Sequence, residues 1–367
     1  MNQIKDVIIN HINSNNGYIT LDNFIYISMY DENFGYYISK NPIGEKNDFI
    51  TSPEISQLFG EIIGLYILDY WNMNINKSFN LFELGPGKGT MMRDILNISS
   101  NFPNYVSKIN LKLIEKNHNL IIHQKKILNE FNNKLESIKW YKDLNNFDDT
   151  KNTIFIANEF FDCFPIKQIY KFKDIYYEKI VRYDISKNKF QLDNILIDKY
   201  NPILKKIDYF DLKNDIKDGT ILEISNLSDE YIFKISDILL NNEGIIVLFD
   251  YGNNFLIGKS TIKSIKNHKH SEILDNPGHQ DISYMINFSY IKNLFISKNL
   301  YVYGPFNQGD FFKSLGIKQR KDNIIKTNLA KKNQLENGLN RIIDNDKMGK
   351  LFKVLIASSK KIKLYEN

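Results

Sequence analysis

Phe82-Glu83-Leu84-Gly85-Pro86-Gly87-Lys88-Gly89-Thr90 is the stretch on which the reading of this chain turns. An apolar run from Phe79 leads into it, and Thr90-Met91-Met92-Arg93-Asp94-Ile95-Leu96 leaves it as a good helix start. Glycines without a Cβ let the backbone turn tightly and approach a ligand closely, and the free N–H groups of a helix start suit a carboxylate. Taken alone, the segment also reads as a strand–helix connection with incidental glycines.

Working outward, short apolar strands alternate with helical stretches, the pattern of βαβ units. Strands are expected at Phe79–Leu84, 111–115, 138–141 and Thr153–Asn158, and later at 244–250, 300–306 and 351–358. Residues 167–191 have period-two character broken by Ser186-Lys187-Asn188, which predicts one antiparallel hairpin, followed by a helix over 230–241. Upstream, 4–12 has helical periodicity, 31–48 is a Gly- and Asn-rich loop, and Thr51-Ser52-Pro53-Glu54 opens a helix carrying Ile55, Leu58, Phe59, Ile62 and Ile63. The division expected is a helical cap and lid over 1–75, a core of 76–165 and 244–367, and an inserted β-hairpin/helix lobe over 166–243.

Two features lift the glycine loop above an ordinary turn. Its spacing is GxGxG, not the GxGxxG of dinucleotide enzymes. It is also framed by acids: Glu83 stands just before it and Glu115 ends the next strand, where a carboxylate can accept both hydroxyls of a ribose. Asp143, after the third strand, is placed to meet an adenine amino group. Together these resemble class I methyltransferases, which implies S-adenosylmethionine as cofactor and Glu83, Gly85, Pro86, Gly87, Gly89, Thr90, Glu115 and Asp143 as residues holding it.

The second informative segment is Ile154-Phe155-Ile156-Ala157-Asn158-Glu159-Phe160-Phe161-Asp162-Cys163-Phe164-Pro165. In an open α/β sheet, ligands bind beyond the carboxyl ends of the strands. Asn158 to Asp162 falls there. Carboxylates interleaved with phenylalanines suit a cationic planar group such as guanidinium, which pairs with a carboxylate and stacks on rings. Glu159 and Asp162 are therefore the candidate catalytic residues, with Phe160 against the substrate and Asn158 near the cofactor. The plainer alternative makes the two acids helix caps and the phenylalanines core.

Composition sets bounds. The 367 residues, 43% hydrophobic and 25% charged, allow one large domain or a domain with an insertion. A net charge of +5 is weak at this length and does not predict nucleic acid. A single cysteine, Cys163, excludes an intramolecular disulfide and a multi-cysteine zinc site, and no metal is expected. No stretch approaches the ~20 apolar residues of a membrane span. The N-terminal residues lack the look of a presequence or signal peptide, so a cytoplasmic, bacterial setting is expected over a mitochondrial matrix.

Across almost its whole length the sequence resembles the MidA-type methyltransferases, a family that includes a mitochondrial complex I assembly factor with arginine methyltransferase activity. The likeness is carried by Asn33-Phe34-Gly35-Tyr36-Tyr37, by Asp48-Phe49-Ile50-Thr51-Ser52-Pro53-Glu54-Ile55-Ser56-Gln57-Leu58-Phe59-Gly60-Glu61, by the glycine loop and by Ala157-Asn158-Glu159-Phe160-Phe161-Asp162. It continues in Phe249-Asp250-Tyr251-Gly252, Gln308-Gly309 and Met348-Gly349-Lys350-Leu351-Phe352. It implies a Rossmann-like α/β core with an N-terminal helical cap and an inserted β/α lobe, acting on an arginine of a partner protein such as a complex I subunit. It also implies that Ser52 and Tyr37 face the cofactor and that Glu54, Gln57 and Gln308 face the substrate. One departure is Asn287-Phe288, where the family usually has Asp-Phe. An RNA or small-molecule N-methyltransferase and a non-catalytic cofactor-binding assembly factor stay open as alternatives. So does a homo-oligomer.

Overall fold

Seven of the strands from residue 79 onward join in a single mixed sheet. In the computed structural model, which describes residues 3–39, 52–145, 147, 149–210, 216–255 and 258–363, they are β1 (Phe79–Leu84), β2 (Ile109–Ile114), β3 (Ser137–Tyr141), β4 (Thr153–Asn158), β5 (Gly244–Asn253), β6 (Tyr301–Asn307) and β7 (Phe352–Ser358). Their order across the sheet is β6-β7-β5-β4-β1-β2-β3. The run from β5 to β3 is parallel, and β7 is antiparallel to both its neighbours. Every residue of β1, β2, β4 and β7 is buried, so polar members such as Asn80, Glu83, Asn110 and Lys112 are enclosed along with the apolar ones.

Helices cover this sheet because its faces are apolar on both sides. The helix Gln57–Asn74 buries Leu58, Phe59, Ile62, Ile63 and Ile67. It lies close against Thr90–Ser99: a Cβ on Gly60 would stand 2.8 Å from the Met91 carbonyl, and one on Gly64 2.7 Å from Ile98 Cγ2. The helix expected to open at Thr51 is in fact two, Ser52–Ile55 and Gln57–Asn74. Ser56 is extended between them (φ −157°), and its hydroxyl caps the longer helix by accepting the Leu58 N–H at 3.3 Å. Gly338 packs against Ser56 and the Ile55 carbonyl, and this fixes the break. Thr51 and the expected loop beyond residue 39 lie outside the described residues.

The chain forms two compact units. The sheet belongs to one, made of Ile50–Phe160, Phe233–Gly252 and Phe295–Asn367; the other combines Met1–Phe49, Phe161–Ile232 and Asn253–Leu294. The helix Gln57–Asn74, expected in a cap, therefore packs with the sheet. In the second unit, Lys167–Phe172, Ile175–Asp184 and Lys189–Leu196 form an antiparallel meander, flanked by Ile19–Thr20 and Ile221–Ile224. The stretch predicted as one hairpin is two. Lys173 and Asp174, both left-handed (φ 49° and 59°), make the first turn, and the predicted turn at Ser186-Lys187-Asn188 makes the second.

Candidate functional site

The strand order reverses between β1 and β4, which pair in parallel with Leu84 beside Ala157. This is the topological switch point, where the two connections leave in opposite directions and open a crevice at the strands' carboxyl ends. The two informative segments of the sequence leave the sheet side by side there. β2 adds a third: the Gly85 N–H donates to the Ile114 carbonyl at 3.1 Å, so the start of the loop is tied to the strand that ends at Glu115.

Every second residue of the loop is left-handed, with Gly85, Gly87 and Gly89 at φ 65°, 53° and 78°. At Gly85 the need for glycine is steric too. A Cβ there would lie 2.8 Å from the Phe160 ring. Gly89 precedes the first turn of the helix Thr90–Ser99. Glu54 closes over the same turn, accepting the Thr90 hydroxyl and pairing with Lys88 Nζ at 3.7 Å. Glu54 is thus bound to the loop.

Two acids frame the loop, Glu83 buried and Glu115 half-buried. Glu83 is almost fully buried, and its Oε2 has no hydrogen-bond partner among the described residues. Burial pushes its carboxyl up to about 8, and the nearby Glu115 adds to the rise. Glu115, also raised by burial to about 7, is held by the Asn117 N–H at 2.9 Å and by Gln124 Nε2 at 3.2 Å. Gln124 is wholly buried; the same Nε2 donates to the Gly87 carbonyl at 2.7 Å, while its Oε1 accepts the Trp140 indole N–H at 2.9 Å. One amide thereby joins the glycine loop, Glu115 and β3. Asp143 lies just past β3, with its Oδ1 closing a turn on the Asn145 N–H at 2.7 Å.

At the end of β4, Glu159 adopts φ +49°, a left-handed conformation that is uncommon without glycine. Its N–H donates to the Phe249 carbonyl at 2.9 Å. Its Oε1 accepts the Ser52 N–H at 3.0 Å and Asn158 Nδ2 at 3.3 Å, and the Asn158 Oδ1 is a buried acceptor without a partner among the described residues. Although part of its surface is open, protein surrounds the carboxyl, and desolvation raises it to about 7 against the pull of Ser52, Asn158 and Arg341.

Other residues singled out from the sequence have partners of their own. Gln57 donates to Glu61 at 2.8 Å and accepts from Lys331 at 3.0 Å, and Glu61 pairs with Arg320 at 2.7 Å; this network fastens the helix Gln57–Asn74 to the C-terminal helices. Gln308, expected to face the substrate, starts the helix Gln308–Ser314, is fully buried and donates to the Ile342 carbonyl at 3.1 Å; its Oε1 is a buried acceptor without a described partner. Tyr37 and Asp162 belong to the second unit. There Tyr37 donates to Asp281 Oδ1 at 2.8 Å, and the Asp162 carbonyl accepts the Tyr284 N–H at 2.9 Å.

Gln124, Lys88 and Asp250 were not anticipated. Asp250 is fully buried near the end of β5; its Oδ2 accepts the Phe160 N–H at 3.2 Å and its Oδ1 the Tyr251 N–H at 2.8 Å. A single acid ending an otherwise apolar strand was the available signal for it.

The arrangement fits a nucleoside-bearing ligand: a tight glycine turn, a helix start, and two acids, the buried one with an acceptor atom unpartnered among the described residues. Comparisons with known proteins agree. Residues 62–306 match the model of Methyltransf_28, a family of S-adenosyl-L-methionine-dependent methyltransferases. The chain is 29% identical over 357 residues to a Caenorhabditis elegans protein named protein arginine methyltransferase NDUFAF7 homolog, mitochondrial, covering 91% of this chain and 81% of that one. It is 30% identical over 346 residues to the Homo sapiens protein arginine methyltransferase NDUFAF7, mitochondrial, covering 87% and 75%. A Burkholderia thailandensis COG1565 superfamily member, crystallised with S-adenosyl-homocysteine, shares the fold with a TM-score of 0.84 at 17% identity, over 99% of this chain and 93% of that one. A mixed α/β sheet with this site at its switch point is thus the fold of the class I methyltransferases, and the chain belongs to the Methyltransf_28 family of S-adenosyl-L-methionine-dependent methyltransferases.

Proposed function

We propose that this methyltransferase acts on an arginine side chain of a partner protein. The observation that carries the reading is Glu159: a carboxylate on a strained backbone at the switch point, with one oxygen pinned by two donors. When bound, S-adenosylmethionine supplies an electrophilic methyl group on a sulfonium. Gly85, Gly87 and Gly89, the N-terminus of the helix Thr90–Ser99, and Glu83 and Glu115 are the groups that would hold it, with Asn158 and Ser52 beside them. Asp143 would lie toward its base.

Glu159 Oε2 would be the oxygen that meets the substrate. Paired with a guanidinium, it would orient one nitrogen and draw positive charge toward the others, making the reacting nitrogen a better nucleophile. A carboxyl near 7 is also matched to taking up the proton that nitrogen loses on methylation. Phe160, whose ring lies over Gly85, offers a face on which a planar cation stacks. Support for arginine over other amines comes from the names of the relatives, and the likeness to a complex I assembly factor suggests a subunit of that kind as the partner.

The test is to incubate the protein with methyl-tritiated S-adenosylmethionine and a lysate of its host, then hydrolyse the labelled fraction and identify the methylated residue. Methylarginine in protein is the expected product. Label on lysine, RNA or a small molecule overturns the substrate class. Absence of transfer by protein that binds S-adenosylhomocysteine in calorimetry overturns the enzymatic reading in favour of a binding role.

A further inference from the structure

β4, which ends at the switch point, pairs on its other side with β5, and β5 carries an acid that the function above does not use. β4 and β5 pair in parallel with Asn158 beside Phe249, so Glu159, just past the end of β4, stands level with Asp250, which is still within β5. Asp250 has no exposed surface. A carboxylate costs several kcal/mol to bury unless its oxygens are hydrogen-bonded. Here Oδ1 accepts the Tyr251 N–H at 2.8 Å and Oδ2 reaches across to the Phe160 N–H at 3.2 Å.

That second bond falls on the residue after the strained one. Left-handed backbone at a residue with a Cβ is strained and persists only where its surroundings over-determine it. Glu159 is fixed on one side by its own N–H on the Phe249 carbonyl and on the other by the Phe160 N–H on Asp250. Between these two anchors its side chain is directed to Ser52, whose N–H binds Oε1. The Phe160 N–H anchor also sets the ring that closes on Gly85 of the cofactor loop.

We propose that Asp250 is a positioning residue of the reaction. It holds the backbone after β4 in the left-handed turn that keeps Glu159 Oε1 on Ser52 and Oε2 toward the substrate. The inference rests on the assignment of Glu159 as the substrate-facing carboxylate. An amide in place of Asp250 presents an N–H₂ group to one of the two backbone donors, so one bond is lost while the volume is kept. The turn relaxes, Glu159 loses the Ser52 hydrogen bond that favours its charged form, and its apparent pKa rises.

The experiment compares wild type, Asp250→Asn and Glu159→Gln as full-length proteins, using host lysate as methyl acceptor. Initial rates are taken from pH 5.5 to 9, with S-adenosylhomocysteine affinity and thermal melting alongside. Asp250→Asn is expected to lose at least about tenfold in maximal rate, to keep S-adenosylhomocysteine affinity within about threefold, and to move the acid limb of its pH profile upward. A maximal rate within twofold of wild type, or a loss with an unmoved acid limb that tracks lowered melting and weakened S-adenosylhomocysteine binding, overturns the proposal. Glu159→Gln with wild-type turnover overturns the Glu159 assignment itself. An inactive Glu159→Gln beside a normal Asp250→Asn overturns only the positioning role. Should Asp250→Asn not fold, Asp250→Ser, which keeps one small acceptor, takes its place under the same criteria.

Discussion

A ligand-binding acid declares itself by being uncomfortable without its ligand, and Glu83 and Glu115 both do. Burial holds the first near 8 and the second near 7 in the ligand-free chain, against an ordinary glutamate of 4.5. The folded protein therefore carries more protons than the unfolded chain from about pH 4.5 upward, and its stability falls as pH rises through that window to about 8. A ribose donating its hydroxyls to these carboxyls favours their charged forms, so affinity should run the other way. Calorimetry with S-adenosylhomocysteine is expected to show binding tightening several-fold between pH 6 and 8. Glu115→Gln should bind more weakly and flatten that dependence; an unchanged slope would place the ribose elsewhere. Glu83 and Glu115 were legible from the sequence because each ends an apolar run beside a glycine loop. Gln124 was not, because a polar residue on a helix is ordinarily solvated, and only the fold shows that it bridges Gly87 and Glu115. Gln124→Leu removes two donated bonds and leaves the Trp140 N–H without its acceptor. It should weaken S-adenosylhomocysteine binding about tenfold, as judged by buried hydrogen bonds worth about 1–3 kcal/mol.

At the scale of elements, the glycine loop is only as well placed as the helix that follows it. Thr90–Ser99 is located by the helix Gln57–Asn74 through two glycines that let the backbones approach. Gly64→Val puts a branched side chain where Ile98 Cγ2 already lies 2.7 Å from the Cβ position. Overpacking of this kind costs about 1–3 kcal/mol, so the melting temperature should drop while the family's glycine motif stays intact. Affinity for S-adenosylhomocysteine should fall with it, because the loop and helix move together; unchanged affinity at a lowered melting temperature would separate the two. Strand positions were legible here because parallel strands buried on both faces leave no other reading for Phe79–Leu84 or Thr153–Asn158. The break at Ser56 was not. Thr51-Ser52-Pro53-Glu54 has every mark of a helix start, and the interruption comes from Gly338, which is far away in sequence.

At the scale of the whole molecule, the sheet depends on a strand that the chain supplies last. The order β6-β7-β5-β4 places β7, from Phe352 to Ser358, between two strands rather than at an edge. Periodicity identified it as a strand, yet no local signal says where a strand inserts or in which direction it runs; that is decided by which apolar faces remain uncovered once the parallel strands have paired. The same limit applies to the two-unit division, in which segments distant in sequence share a core. β7 is buried throughout and pairs with β5 from Ile245–Ser358 to Tyr251–Phe352, and with β6 on its other side. Removing residues from 351 onward strips both neighbours of their ladder partners, and each backbone group left buried without one costs about 1–3 kcal/mol. About six such groups match the whole stability of a typical domain, about 5–15 kcal/mol. The truncated chain is therefore expected to lose its cooperative melting transition and its S-adenosylhomocysteine binding together, although every residue assigned to the cofactor is still present. Retention of either would show that the parallel strands hold the switch point without β7.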